Sequence, residues 1–263
     1  MELIHGECLE EIDALIAKGM KVDLILCDLP YGSTSCGWDV AISLPDLWER
    51  YRKIIKPNKP IVLFGSQPFT SVLIGSNLPA FREELVWLKN RGASGLQSSQ
   101  KHIKVHENIC VFSFDSSYTY NPQKWLVDQK EFVTQRRTFS DSEYSGNQIY
   151  APAPKKRKPD TGVRNPLSVV SCRVPFTPQS RIRQYGDDVD LRLHPTQKPL
   201  RLCEYLIETF SNPGDTVLDN CMGSGTTGAA CRKLGRAFIG IELDDGFFEV
   251  AKGRLMDHLQ KTG

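Results

Sequence analysis

Thr216-Val217-Leu218-Asp219-Asn220-Cys221-Met222-Gly223-Ser224-Gly225-Thr226-Thr227-Gly228 is the stretch on which the fold of this chain turns. A short apolar strand closes on a carboxylate, a bend with two glycines follows, and Thr226 to Leu234 has helical spacing. Such a bend lets the backbone approach a ligand, while the start of the helix presents free N–H groups. The next strand, Ala237 to Ile241, ends at Gly240-Ile241-Glu242-Leu243. Its carboxylate lies about 20 residues past the bend, where nucleotide-binding α/β proteins hold ribose hydroxyls. Taken alone, the glycines are equally explained by packing, Asp219 by a helix cap and Glu242 by a solvated strand end. Gly223, Gly225 and Gly228 also have the Gly-x-Gly-x-x-Gly spacing of a dinucleotide loop, a weak signal when taken alone.

The same alternation runs outward from this stretch. Leu200, Cys203, Leu206, Ile207 and Phe210 form a helical face before it, and Phe247, Phe248, Ala251 and Leu255 form another after it, with Asp244 as the N-cap. At the other end of the chain, Val22 to Cys27 reads as a buried strand, Leu44 to Ile55 as an amphipathic helix and Pro60 to Phe64 as a strand. Phe81 to Leu88 and Val105 to Phe114 read as later strands. Strands alternating with helices predict a mostly parallel sheet covered on both faces.

A second motif follows the first buried strand. Asp28-Leu29-Pro30-Tyr31-Gly32 makes a short rigid corner at the carboxyl edge of the sheet, where open α/β folds bind ligands. Pro30 fixes its own φ and disfavours helical geometry at Leu29. The Asp28 carboxylate and the Leu29 carbonyl can accept from one planar amino group, and Tyr31 offers a ring face for stacking. A turn with a capping Asp and a core Tyr would leave the same trace.

Together these residues resemble the β-class amino-DNA methyltransferases, whose usual corner is Asp-Pro-Pro-Tyr. His194-Pro195-Thr196-Gln197-Lys198-Pro199 resembles that family's segment ahead of the cofactor strand, and Asp219 to Thr227 resembles its Gly-Ser-Gly-Thr-Thr loop. The order is the specific part: catalytic corner first, recognition insert next, cofactor loop last. The resemblance implies a circularly permuted, Rossmann-like S-adenosylmethionine-dependent methyltransferase fold. Residues 1–114 would be the catalytic half, 115–193 an irregular target-recognition insert, and 194–263 the cofactor-binding half. It implies catalytic roles for Asp28, Leu29, Pro30 and Tyr31. The cofactor S-adenosylmethionine would be held by Glu7, Cys8, Asp28, Lys198, Asp219, Cys221, Gly223, Gly225, Thr226 and Glu242. In such a fold the strand beyond Glu242 comes from the N-terminus. Leu3 to Leu9 fits it, with Glu7 where the family usually has Asp and His5 in a structural role.

Two departures stand out. Leu29 replaces the first proline, which costs rigidity rather than chemistry, because the contact there is a backbone carbonyl. Asn220-Cys221 replaces a proline-containing turn, and no Pro-Cys pair supports the nucleophilic cysteine of cytosine-C5 enzymes. The implied activity is site-specific methylation of N6 of adenine in a flipped-out base of double-stranded DNA. N4 of cytosine is the nearest alternative, and Asp rather than Ser at position 28 favours adenine by the resemblance. RNA or protein-glutamine N-methyltransferases use a similar corner but usually place the cofactor loop first. A non-enzymatic DNA-binding module would leave both motifs unexplained. A homodimer and a restriction endonuclease partner are left open.

Composition sets the remaining bounds. The 263 residues suffice for one large α/β domain with an insertion. A net charge of +2 requires any basic DNA-binding surface to be local. Residues 115–193 carry 13 Lys and Arg against 9 Asp and Glu, including Lys155-Lys156-Arg157-Lys158 for phosphates and Arg164, Arg181, Arg183 and Gln184 for base edges. The eight cysteines show no metal-ligand spacing, so no metal is expected and a reducing cytosol fits. No basic-then-apolar leader and no spanning apolar run are visible, which predicts a cytoplasmic protein without membrane contact.

Overall fold

The structure, a computed structural model, describes residues 1–32, 41–93, 98–100, 102–126, 163–172 and 197–256. These form two compact units, Met1–Asn121 with Ser168–Gly263, and Pro122–Leu167. The described part of the smaller unit contains a two-stranded antiparallel ladder, β6 (Trp125–Leu126) with β7 (Val163–Arg164).

In the larger unit the chain runs β1 (Glu2–His5), α1 (Cys8–Ala17), β2 (Leu24–Cys27), α2 (Leu44–Ile54), β3 (Ile61–Gly65), α3 (Phe69–Ser76), β4 (Phe81–Ala93) and β5 (Lys104–Phe112). It continues through β8 (Val169–Ser171), α4 (Leu200–Phe210), β9 (Thr216–Asp219), α5 (Thr226–Leu234), β10 (Ala237–Glu242) and α6 (Asp245–Met256). The sheet order is β1-β10-β9-β2-β3-β5-β4-β8. The first five strands are parallel, and β5 runs antiparallel to both β3 and β4.

Side-chain alternation explains why both faces are covered. Ile25 and Cys27 of β2 pack with Ile12 of α1 and Leu47, Tyr51 and Ile54 of α2. Their neighbours Leu24 and Leu26 turn to the opposite face, with Leu206 and Phe210 of α4, Ala230 of α5 and Leu255 of α6. The expected strands and helices are all present, with ends shifted by a residue or a few. The N-terminal segment is a strand only to His5, after which Glu7 caps α1 by accepting from the Leu9 and Glu10 N–H groups at 2.8 and 3.0 Å.

Residues 163–172 depart from the expectation of a stretch without periodicity. Val169–Ser171 extends the main sheet beside β4, and Trp87 Nε1 donates to the Cys172 carbonyl at 2.9 Å. Three residues are too few for any period to show. Residues 127–162 and 173–193 of the insert, including Lys155 to Lys158, Arg181, Arg183 and Gln184, lie outside the described residues, as do His194, Pro195 and Thr196.

The connection from β9 folds onto one face of the sheet and that from β2 onto the other. The chain therefore leaves a crevice at the carboxyl ends of these two adjacent strands, the switch point where doubly wound sheets bind ligands. Gly225 makes the turn there. Its φ of +74° is left-handed, and a Cβ would lie 2.9 Å from Leu255 Cδ1 and 3.2 Å from Ala251 Cβ. Gly225→Ala is expected to cost roughly 1–3 kcal/mol. A fall in Tm of several degrees in thermal denaturation would register it.

Candidate active site

The crevice opens into a cavity of about 420 Å³, within the usual range for a small-molecule site. Of the residues expected in the site, Glu7, Cys8, Asp28, Leu29, Pro30, Tyr31, Lys198, Asp219, Cys221, Gly223, Thr226 and Glu242 all line it. Gly225 does not; it sits behind the loop against α6. Its part is to shape the turn.

The corner after β2 is held by side-chain contacts. The Tyr31 hydroxyl donates to Asp28 Oδ1 at 2.8 Å. The Tyr31 ring stacks on Phe69 with centroids 4.8 Å apart, so one ring face is already taken. Leu29 is 2% exposed, its side chain in the core. Lys198, just before α4, reaches across and pairs with Asp28 Oδ2. The Lys198 ammonium also lies 3.3 Å from Glu107 Oε2 and 5.0 Å from the centroid of the Phe64 ring. Glu107 pairs in turn with Lys89.

Burial pushes the Asp28 carboxyl up, and the Lys198 ammonium opposes it. Burial would by itself lower the Lys198 pKa, but the Asp28 and Glu107 carboxylates more than reverse this and hold the lysine charged. Burial also works against ionisation of Glu107, and Lys198 and Lys89 outweigh it. Glu107, Lys89 and Phe64 carried no motif in the sequence.

The glycine bend follows β9. Asp219 Oδ1 accepts from the Cys221 N–H at 3.2 Å, Gly223 has a φ of +52°, and Gly225 N–H donates to the Met222 carbonyl at 2.8 Å. Glu242 at the end of β10 accepts from the Gly223 N–H at 2.8 Å and the Asp244 N–H at 2.9 Å, tying the bend to the neighbouring strand. Tyr51, fully buried, donates to Asn220 Oδ1 at 2.6 Å and fixes the residue that replaces proline. β1 runs beside β10 with His5 opposite Glu242, so both ends of the chain build one cavity. His5 Nε2 stands 3.0 Å from the Leu243 carbonyl, within the strand-end contacts.

The cysteines near the site are not poised as nucleophiles. The Cys8 thiol is raised through its hydrogen bond to Cys221 and by burial, and burial takes Cys27 up to about 12. Cys221 is raised well above its ordinary value through Cys27 and burial. A thiolate is the reactive form, and none is favoured here. Among the described residues no group of His, Cys, Asp and Glu side chains is arranged to hold a metal.

Among the described residues, the wall of the cavity carries Glu7, Asp28, Glu107, Asp219 and Glu242 against a single lysine. That donor set suits a cation with hydroxyl-bearing and apolar parts. S-adenosylmethionine has an ammonium, a sulfonium, a ribose and an adenine, and the residues present fit it.

Doubly wound sheet, glycine bend and Asp-x-Pro-Tyr corner on one acidic cavity define a Rossmann-like α/β methyltransferase. The chain belongs to the DNA methylase family, whose profile matches residues 22–253. It is 29% identical over 266 aligned positions to the DNA adenine methyltransferase YhdJ of Escherichia coli (strain K12), covering 96% of this chain and 82% of the relative. It is 26% identical to the type II methyltransferase M.HpaI of Haemophilus parainfluenzae, over 89% of this chain and 68% of that protein. Its fold matches the crystal structure of the M1.HpyAVI–SAM complex with a TM-score of 0.62 and 26% identity, covering 97% of this chain and 99% of the other. The cytosine-N4-specific PvuII DNA methyltransferase shares the fold, with a TM-score of 0.63 at 14% identity over 97% and 86% of the two chains.

Asp219 generates a pH prediction. It is 4% exposed, and burial lifts its carboxyl from the ordinary value near 4 to about 7, the Thr227 hydroxyl and Cys221 N–H offsetting only part. A carboxyl raised on folding binds its proton more tightly in the native state. Its contribution to stability is therefore full at low pH and is lost as pH rises from about 4 to about 7. Asp219→Asn should raise stability at pH 8 relative to pH 5, when each is referred to the unaltered protein in urea titrations without cofactor. Equal differences at both pH values would contradict it.

Proposed function

We propose that this chain is a site-specific DNA methyltransferase that moves a methyl group from S-adenosylmethionine to N6 of adenine. The observation that carries the reading is the shared cavity. It joins the Asp28-Leu29-Pro30-Tyr31 corner to the glycine bend, although the two segments are far apart in sequence. The relatives named as adenine methyltransferase and as SAM complex support the choice of base and cofactor.

S-adenosylmethionine, when bound, supplies an electrophilic methyl group on a sulfonium. Glu242 and Gly223 are assigned to its ribose side, Glu7 and Cys8 to its adenine side, and Asp219, Cys221, Thr226 and Lys198 to the methionine side. The target amine is a poor nucleophile because its lone pair is delocalised into the base. Asp28 and the Leu29 carbonyl accept from its two N–H groups, favouring the pyramidal form and aiming the lone pair; the proton released on transfer is taken at Asp28 and passed to solvent. Such catalysis is positioning and electrostatic stabilisation. A stacked base cannot enter the cavity, so the nucleotide is flipped out, its ring laid against the free face of Tyr31.

DNA recognition is assigned to residues 115–193, where the surplus of positive charge lies. Lys155 to Lys158 would follow phosphates, with Arg164, Arg181, Arg183 and Gln184 on base edges. No described helix is long and apolar enough to cross a membrane.

The test uses purified protein, labelled S-adenosylmethionine and unmethylated genomic DNA, with nucleoside mass spectrometry as the readout. The expected product is N6-methyladenine, and Asp28→Ala should lower its formation by at least about 100-fold. Cofactor affinity in a calorimetric titration should be largely kept. N4-methylcytosine as the product would overturn the choice of base, and near-normal turnover of Asp28→Ala would overturn the site.

A further inference from the structure

Transfer of a methyl group to an amine builds positive charge on the nitrogen. Asp28 meets that charge while paired with Lys198, and taken alone the pair is neutral. A neutral pair offers little net attraction to a developing cation. Glu107 alters the balance. It lines the same cavity, its side chain is 15% exposed, and its Oε2 stands 3.3 Å from the Lys198 ammonium. Asp28, Lys198 and Glu107 together carry one net negative charge. On its far side Glu107 meets Lys89, whose ammonium lies over the Trp87 ring, 4.9 Å from the centroid, and which is not part of the cavity wall.

We propose that Glu107 is a positioning residue of the methyl-transfer site. It anchors Lys198 so that Asp28 faces the target amine, and it restores the negative charge that Lys198 would otherwise cancel. The inference rests on the methyltransferase reading above. An ordinary structural ion pair is the simpler account, but buried pairs are poor stabilisers compared with apolar packing. This one opens onto the cavity wall, and its middle member, Lys198, touches Asp28.

The two accounts separate in the pH dependence of the rate, because Asp28 must be ionised to accept. Tyr31 faces it from its own corner, Asp219 from β9, and Lys198 from the segment before α4. Glu107 on β5 lies beyond Lys198, with Lys89 on β4 and Lys104 on β5 behind it. Removing the negative charge of Glu107 makes Asp28 easier to ionise. Removing the positive charge of Lys89 does the reverse, since Glu107 then acts on Asp28 through Lys198 alone.

Single-turnover methylation by the full chain, followed across pH, decides it. Glu107→Gln is expected to slow transfer about tenfold or more at neutral pH. Cofactor affinity should stay within about threefold, and the acid limb should move to lower pH. Glu107→Asp should recover most of the rate. Lys89→Gln should move the acid limb to higher pH. Opposite movements support the proposal; limbs that stay in place, or move together, overturn it. If Glu107→Gln does not fold, Lys89→Gln decides alone, and an unmoved or lowered limb overturns the role. An unaltered protein that fails to methylate adenine overturns the proposed function instead, which keeps the two failures apart.

Discussion

The parallel pairing of β2 with β9 is the constraint on which the site depends. Leu24 lies opposite Val217 and Ile25 opposite Leu218, so Asp28 and Asp219 leave the sheet at the same edge. A slip of one residue would turn Leu24 and Leu26 away from α4 and present Ile25 and Cys27 in their place, exchanging the two buried faces. The start of the pair is pinned as well. Asp23, nearly buried, accepts from the Thr216 N–H at 3.0 Å and from the Lys56 ammonium at 2.8 Å, while Lys59 bridges it to Asp215. Charge fixes one end of the strand pair, apolar alternation fixes its middle, and the other end is left free for chemistry.

That free end holds two carboxylates in one small cavity, and the protein treats them differently. Burial raises the Asp28 carboxyl, and the Lys198 cation against it offsets part of that rise. Asp219 has neutral donors, the Thr227 hydroxyl, the Cys221 N–H and the Cys27 thiol, and its carboxyl rises to about 7. Both carboxyls are thus raised by burial, and they differ in that a cation opposes the rise at Asp28 alone. A cation placed beside Asp219 would lower its carboxyl again, so the charge of this group is coupled to that of any ligand in the cavity.

The sequence was legible where chemistry is local. The glycine bend and the Asp-x-Pro-Tyr corner are each readable because a few adjacent residues determine the local backbone, whereas Lys198 stands out only through the family resemblance. The main strands were readable because both faces of the sheet are covered, which makes them short continuous apolar runs. α3 escaped, since Phe69-Thr70-Ser71-Val72-Leu73-Ile74-Gly75-Ser76 has β-branched residues and a glycine and exposes Val72, so no helical stripe shows. Glu107 escaped for a different reason. Its role comes from Lys198, 91 positions later, and from Lys89 across the β4–β5 ladder, where Trp87 rather than Lys89 is its registered partner. Gly225 was read as a ligand contact, and its close approach to Leu255 and Ala251, off the cavity wall, is not visible in the sequence.

Leu29 shows how the corner keeps its shape without the usual proline. A proline there would restrict φ directly, and a leucine leaves that freedom in the isolated chain. The fold removes it by other contacts. The Leu29 side chain is in the core, the Tyr31 hydroxyl holds Asp28, and the Tyr31 ring is backed by Phe69. Three neighbouring residues are thus fixed from three directions, with Pro30 constraining the backbone between Leu29 and Tyr31. Rigidity that one residue would supply locally is supplied by tertiary packing, so the corner's geometry is tied to the stability of the face formed by α1, α2 and α3. Substitutions in that face then act on the reacting atoms without touching them, through the one buried side chain that lies between the acceptor and the stacking ring.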